Sequence, residues 1–275
     1  MTRADIFVTA AELARLIADG EPVNVLDVRW ELAQPDGREA YTRGHVPGAV
    51  YVSLDDELSD HSVPGRGRHP LPSGAAVGSA ARRWGLRDGV PTVVYDDWNR
   101  AGSARAWWVL TAAGVADVRI LDGGLAAWTA SGGSLETGSP TVEPGDISVH
   151  FEDLYDGALP TLTADEVAEF DGVLLDARAP ERFRGETEPV DPVAGHIPGA
   201  RNVPSTGILD AEGRLSGPVA NRYPSDANDV AVYCGSGVTA SLVVAALHAE
   251  GVGAKLFPGS WSQWAGESRP VETGE

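Results

Sequence analysis

Cysteine is nearly missing from this chain: a single thiol, Cys234, stands among 275 residues. One thiol excludes an internal disulfide and a resolving partner within the chain, which agrees with a reducing compartment. Long hydrophobic runs are missing too, and nothing approaches the apolar length of a membrane span. Basic residues are scarce: 21 Lys and Arg against 40 Asp and Glu leave a formal net charge of −19 and a pI near 4.6. That field repels phosphate backbones and anionic lipid surfaces, so neither nucleic acid nor a membrane is an expected partner. The opening residues, MTRADIFVTAAELARLIADGEP, carry charges throughout and lack the apolar core and cleavage site of a secretory signal, so the expected location is cytoplasmic. With 43% hydrophobic and 22% charged residues, the composition excludes disordered and fibrous classes.

The length favours two domains, and the chain repeats itself. GHVPGAV at 44–50 returns as GHIPGAR at 195–201, and VNVLDVRWE at 23–31 returns as GVLLDARAPE at 172–181. PTVVYDDWNRAGSARAWWVL at 91–110 matches NDVAVYCGSGVTASLVVAAL at 228–247, which sets Tyr95 against Tyr233 and Asp96 against Cys234. VRILDGGLAAW at 118–128 answers AKLFPGSWSQW at 254–264. Blocks recurring in the same order mean a duplicated domain with one thiol-bearing copy. The stretch 131–161, rich in Gly, Ser, Pro and acids, has no apolar periodicity. It reads as a linker of ordered coil, giving a first domain over 1–135, a linker over 136–160 and a second domain over 161–275. Apolar runs at 23–28, 92–95 and 118–121 read as buried strands. Helix-period segments at 10–19, 75–84 and 104–113 lie between them, the first opened by Thr9 with Glu12 three residues on. Strands alternating with helices imply α/β domains, each a mainly parallel sheet with helices on both faces.

Cys234 follows the apolar run 230–233 and precedes a helical segment over 240–250. That places it at the carboxyl end of a strand, where open α/β sheets bind ligands. Gly235, Ser236, Gly237, Val238 and Thr239 are small or turn-tolerant, so successive N–H groups can converge as an anion nest with the positive end of the helix behind them. Such donors favour the thiolate, which can attack phosphorus or sulfur. A C-x5-R phosphatase needs an arginine six positions after the cysteine to clamp the phosphoryl group, and that position holds Ala240. The competing reading is an inert core cysteine in a tight turn; the coincidence of nest and nucleophile weighs against it.

CGSGVTA at 234–240, the paired GHxPGA blocks and GSWSQW near the C-terminus resemble the tandem-domain rhodanese family over nearly the whole chain, and within it the 3-mercaptopyruvate sulfurtransferases. The resemblance implies two rhodanese-like domains and a sulfurtransferase in which Cys234 takes a sulfane sulfur from a small donor as a persulfide and passes it to a thiol or cyanide. No metal and no organic cofactor are implied. It also implies a proton-moving set beside the catalytic cysteine: Ser236, His69 in RHPLP at 68–72, and Asp55 in YVSLDDEL at 51–58. Arg184 is the implied partner of the donor's carboxylate and ketone, with Gly235, Gly237, Val238 and Thr239 completing the donor site. Val190 stands where relatives carry a second arginine, for which Arg182 or Arg105 is the expected substitute. Asp96 makes the first domain catalytically silent, while that domain lends His69 and Asp55 to a cleft over Cys234.

The neutral Gly235 and Ser236 suit a monoanionic mercapto-acid better than dianionic thiosulfate. The rivals are a thiosulfate:cyanide sulfurtransferase and a non-catalytic persulfide carrier. With no second cysteine, an external thiol acceptor, of which a thioredoxin is the protein example, has to release the sulfur. The histidines of the GHxPGA blocks, His45 and His196, read as local partners of the backbone, and Trp30, Trp107, Trp108 and Trp128 as core or interface aromatics.

Overall fold

The apolar runs read from the sequence are strands in the structure, a computed structural model that describes residues 1–223 and 229–275. In the first half, Phe7–Val8 (β1), Asn24–Asp27 (β2), Val50–Tyr51 (β3), Thr92–Tyr95 (β4) and Val118–Leu121 (β5) form a sheet in the order β1-β5-β4-β2-β3, every pairing parallel. In the second, Val173–Asp176 (β6), Arg201–Asn202 (β7), Val230–Tyr233 (β8) and Lys255–Leu256 (β9) run β7-β6-β8-β9, also parallel. The two sheets share their register: Asp27 faces Tyr95 as Asp176 faces Tyr233. Asp96 and Cys234 therefore occupy the same place, just beyond the carboxyl end of a central strand.

The helix Ala10–Ala18 starts where its spacing predicts, with Thr9 and Glu12 closing a reciprocal capping box. The helix Ala101–Ala112 begins three residues before the predicted 104. Its first turn is set by a side chain outside it, because the Asp96 carboxylate accepts from the Arg100 and Ser103 N–H groups. Propensity carries no trace of such a contact.

Two helices are buried along their whole length, Ala101–Ala112 and Ala240–Ala249, apart from the half-buried Thr111 and Ala249. A helix without a polar face belongs in the middle of a molecule. These two pack against each other across the halves, and one apolar core runs from Val28 and Trp107 on one side to Val232 and Leu242 on the other. The stretch expected to be a linker lies along this core and buries Ile147, Leu154 and Leu159. Coil can lie there because its backbone finds partners: the His150 and Ala158 N–H groups donate to the carbonyls of Ala113 and Ala112.

The repeated GHxPGA blocks act alike in both halves. His45 Nδ1 lies 3.0 Å from the Tyr41 carbonyl, and His196 Nδ1 lies 2.8 Å from that of Phe183. The next N–H, of Val46 or Ile197, donates to the hydroxyl of the strand tyrosine, Tyr95 or Tyr233. Beside each, a buried arginine, Arg29 or Arg178, joins the strand aspartate to a glycine carbonyl. Both histidines thus serve the backbone, as their setting suggests.

Candidate active site

Cys234 opens the loop between β8 and the helix Ala240–Ala249. Its N–H donates to Ser260 Oγ at 3.1 Å and its carbonyl accepts from the Trp261 N–H at 3.0 Å, which ties the loop to the C-terminal Gly-Ser-Trp block. The residue is only 2% exposed, yet it lines a cleft of ≈ 400 Å³ between the halves, with Trp30, Arg68, Trp98 and Arg182 around it. Gly237 N–H donates to Sγ at 3.2 Å, and among the described residues it is the one loop amide that does so. The expected ring of amides is thus a single donor around the resting thiol. Gly237 has to be glycine: its φ is +76°, and a Cβ would lie 2.5 Å from the Pro258 carbonyl oxygen. Gly235, Val238 and Thr239 line the cleft. Thr239 makes no side-chain cap, so the positive end of the helix stays open to the loop.

The equivalent loop of the first half shows what this cradle holds. Asp96 Oδ1 accepts from the N–H groups of Trp98 (3.1 Å) and Arg100 (3.2 Å), and Oδ2 from the Ser103 N–H (3.0 Å) and hydroxyl (2.7 Å). Arg100 Nη2 adds an ion pair at 3.0 Å. There the chain's own carboxylate is ringed by donors; the second half sets a thiol in the same place.

His69, Ser236 and Asp55 come together although they lie far apart in the chain. His69 Nδ1 is 2.7 Å from Ser236 Oγ, and Nε2 is 3.4 Å from Asp55 Oδ1. Asp55 also accepts from Trp30 Nε1 at 3.0 Å, and the Trp30 ring meets His69 edge-on. The neighbouring Asp56 turns away from His69 and accepts from the Ser53 hydroxyl. His69 is 3% exposed, and burial, reinforced by the nearby Arg105, Arg68 and His61, pushes its pKa down to about 3. Asp55, 30% exposed and 3.4 Å away, does not offset this, so the imidazole is neutral at pH 7. The contacts then fit one tautomer: Nε2–H toward the carboxylate, Nδ1 accepting from the serine hydroxyl.

The arginines are placed differently from expectation. Arg184 does not reach the cleft: it forks onto Glu186 at the surface, with Nε 2.7 Å from Oε1. Arg182 lines the cleft instead. The reason is rotational: the two steps from Arg182, inside the short helix Pro180–Phe183, to Arg184, its C-cap, turn a side chain by roughly 200° at the α-helical pitch, and Phe183 between them faces the core. Arg105 is no substitute either. It is fully buried, and Nη2 donates to the carbonyls of Leu58 (3.1 Å) and His69 (2.9 Å), holding the loop that presents the histidine. Burial lowers its pKa to about 10, which leaves it charged at pH 7.

Sequence reasoning missed Arg68 and treated Trp30 as a core or interface aromatic first. Both stand beside residues singled out in the sequence, Arg68 next to His69 and Trp30 in the repeated DVRW block, and that adjacency was the available signal. Among the described residues no group of three or more His, Cys, Asp or Glu is arranged to hold a metal ion.

A family model described as the rhodanese-like domain matches residues 9–131 and 160–267. A protein of Mycobacterium tuberculosis named "Putative thiosulfate sulfurtransferase SseB" is 59% identical, covering 99% of this chain and 98% of its own. The 3-mercaptopyruvate sulfurtransferase of Escherichia coli is 36% identical over 97% of both chains. The crystal structure of SseA from Escherichia coli, described as a 3-mercaptopyruvate sulfotransferase, superposes with a TM-score of 0.79 at 33% identity, covering 95% of this chain and 100% of that one.

Proposed function

The chain belongs to the rhodanese family and is a sulfurtransferase, and from that premise we propose its donor and route: the thiol sulfur of 3-mercaptopyruvate is transferred to Cys234, is carried there as the outer, sulfane sulfur of a persulfide and passes to a thiol or to cyanide. The observation that supports this most is the contact of His69 with Ser236, two residues from the thiol, at 2.7 Å. Asp96 leaves the first domain without a nucleophile, and that domain contributes His69 and Asp55.

In the first half-reaction the Cys234 thiolate attacks the donor's sulfur. The donor's carbon–sulfur bond breaks, and its electron pair stays on the methylene carbon as the enolate of pyruvate. The donor's thiol proton has to travel from sulfur to that carbon, and Ser236 and His69 are the pair that moves it. The hydroxyl takes the proton as it passes its own to Nδ1, and the reverse transfer completes pyruvate. An imidazolium at pH 7 lies about 5 kcal/mol uphill for a pKa of about 3, so the proton crosses His69 without resting there. Asp55 holds the tautomer this requires. The sulfur stays on the enzyme as Cys234–S–S⁻, stabilised by the Gly237 amide and the open helix end.

In the second half-reaction the acceptor attacks the outer sulfur, the sulfur–sulfur bond breaks and the Cys234 thiolate returns. Cyanide leaves as thiocyanate; a thiolate leaves as its own persulfide, which a second thiol reduces to sulfide and a disulfide. A dithiol protein such as a thioredoxin supplies both thiols, and the cytoplasm, where such thiols stay reduced, is the proposed location. Among the described residues no helix is long and apolar enough to cross a membrane.

Thiosulfate is the second reading, favoured by the guanidinium groups of Arg68 and Arg182 beside Gly235, which give the neutral loop a positive wall. Steady-state kcat/KM for the two donors, with cyanide as acceptor, decides between them. The first reading expects 3-mercaptopyruvate to be preferred by at least tenfold, and a preference for thiosulfate overturns it. Cys234→Ser is expected to abolish the persulfide, seen as a loss of the added sulfur mass after donor treatment.

A further inference from the structure

Large apolar side chains are rarely exposed in this molecule, and those that are gather in one region. Among the described residues six stand in solvent, and two of them, Leu32 and Trp98, line the cleft that holds Cys234. Two more, Val190 and Val193, lie within two residues of Asp191, which pairs with Arg68 of the cleft wall. Trp98 is the largest and the most exposed, at 56%. Single exposed apolar residues need no explanation, but a group around a nucleophile that is itself only 2% exposed does.

Trp98 also belongs to a second cavity. With Asn99 and Thr206 it lines both the cleft and a neighbouring space of ≈ 330 Å³, set between the Asp96 loop of the first half and the turn 209–213 of the second. The carboxylates of that space are Asp97, Asp210 and Glu212, the last two on exposed residues. Arg100, the one cation in its lining, is 2% exposed and already paired with Asp96. Asp97 meets Arg29 only at 3.7 Å, and burial, with the nearby charge of Asp96, raises its pKa against the pull of that arginine. Excess negative charge beside an exposed indole is a receptor for a cation, since an ammonium or guanidinium over the ring gains from the π face and the carboxylates together.

We propose that the sulfur acceptor is a protein that docks on this face, its thiol entering the cleft past Leu32 while a lysine or arginine beside that thiol settles over Trp98, between Asp97 and Glu212. The inference rests on the thiol-acceptor reading of the preceding section. In the transfer the acceptor's thiol gives its proton to water, and its thiolate attacks the outer sulfur. The sulfur–sulfur bond breaks and the Cys234 thiolate is released. The net charge of −19 draws a basic segment toward this face and turns an acidic one away. The same charge disfavours a second copy of this chain as the occupant, because two copies repel each other.

The test uses the full-length enzyme with its persulfide loaded from either donor. The acceptors are the blocked peptides Gly-Lys-Cys-Lys-Gly, Gly-Gln-Cys-Gln-Gly and Gly-Glu-Cys-Glu-Gly, with cyanide and 2-mercaptoethanol beside them. Lysine lowers the pKa of a neighbouring thiol, so preferences are compared between wild type and variant, where the reactivity of the peptide itself cancels. Wild type is expected to use the lysine peptide with kcat/KM at least about fivefold above the glutamine peptide, an advantage that shrinks with added salt. In Asp97→Asn/Glu212→Gln that ratio is expected to fall about threefold or more, with cyanide turnover within about twofold of wild type. Trp98→Ala is expected to lower the same ratio by about threefold. An unchanged ratio in the double variant, or equal use of the three peptides by wild type, overturns the docking face. Transfer to 2-mercaptoethanol but to none of the peptides overturns it and leaves the thiol-acceptor reading standing; transfer to cyanide but to no thiol overturns both. A dimer seen by sedimentation and dissolved by Trp98→Ala assigns the face to a second copy and overturns the proposal as well.

Discussion

His69 takes a proton near pH 6.5 when the chain is unfolded and only near pH 3 in the native cleft. Between those values the unfolded chain binds a proton that the folded one excludes, so stability falls as pH is lowered, by about 1.4 kcal/mol per pH unit from this residue alone. His69→Gln is expected to flatten the stability curve between pH 6 and 4 relative to wild type, measured by urea unfolding; parallel curves would show that the cleft does not hold the histidine neutral. Arg105 contributes to the same effect from below. Replacing it by Met leaves the Leu58 and His69 carbonyls without their donor and is expected to cost about 1–3 kcal/mol. With the cation gone, the histidine protonates more readily, and the acid limb of kcat/KM moves to higher pH. A stability loss with no such movement would reduce Arg105 to a purely structural group.

Helices and loops here are placed by what touches their smallest residues. Gly102 lies in the first turn of the helix Ala101–Ala112, where a Cβ would stand 2.0 Å from the Val28 carbonyl oxygen. Gly102→Ala therefore pushes the helix off β2 and, with it, the carbonyl clamp of Arg105; a loss of about 1–3 kcal/mol is expected from overpacking, despite alanine's higher helix propensity. Gly237→Ala acts on the other half. It combines a left-handed φ with a clash against Pro258, and is expected to lower both melting temperature and the rate of persulfide formation. Normal single-turnover kinetics in that variant would show that the loop accommodates a Cβ at this position without losing its geometry.

The molecule has two repeats that share one core, with a second apolar cluster belonging to each half alone. Because the helices Ala101–Ala112 and Ala240–Ala249 bury each other across the halves, and the intervening coil adds Ile147 and Leu154, neither half can expose its share to water cheaply. Unfolding is expected as one cooperative transition, with tryptophan fluorescence and far-UV circular dichroism coincident. Two separated transitions would mean that the interface is loose, and with it the geometry that brings His69 to Ser236. The net charge of −19 repels anions at long range, and the guanidiniums of Arg68 and Arg182 beside Gly235 offset it locally in the cleft.

The repeat, the parallel α/β class and the place of Cys234 were legible in the sequence, because strand period, turn residues and block order are local properties. Asp55, His69 and Ser236 were nameable through the resemblance of short motifs, and the structure brings them together. Arg182 was weighed only as a substitute, and Arg184 was chosen over it because sequence spacing does not fix the rotational phase of a single helical turn, which decides the side chain that enters the cleft. Arg68 and the Trp30–Asp55 bond were illegible for a different reason. Arg68 meets Asp191 of the other half, a distance set where the halves pack together, and the Trp30–Asp55 bond joins the segments after β2 and β3 within the first half. The motifs therefore determined which chemistry this chain can perform, and the tertiary structure decided which cations line the cleft beside Cys234.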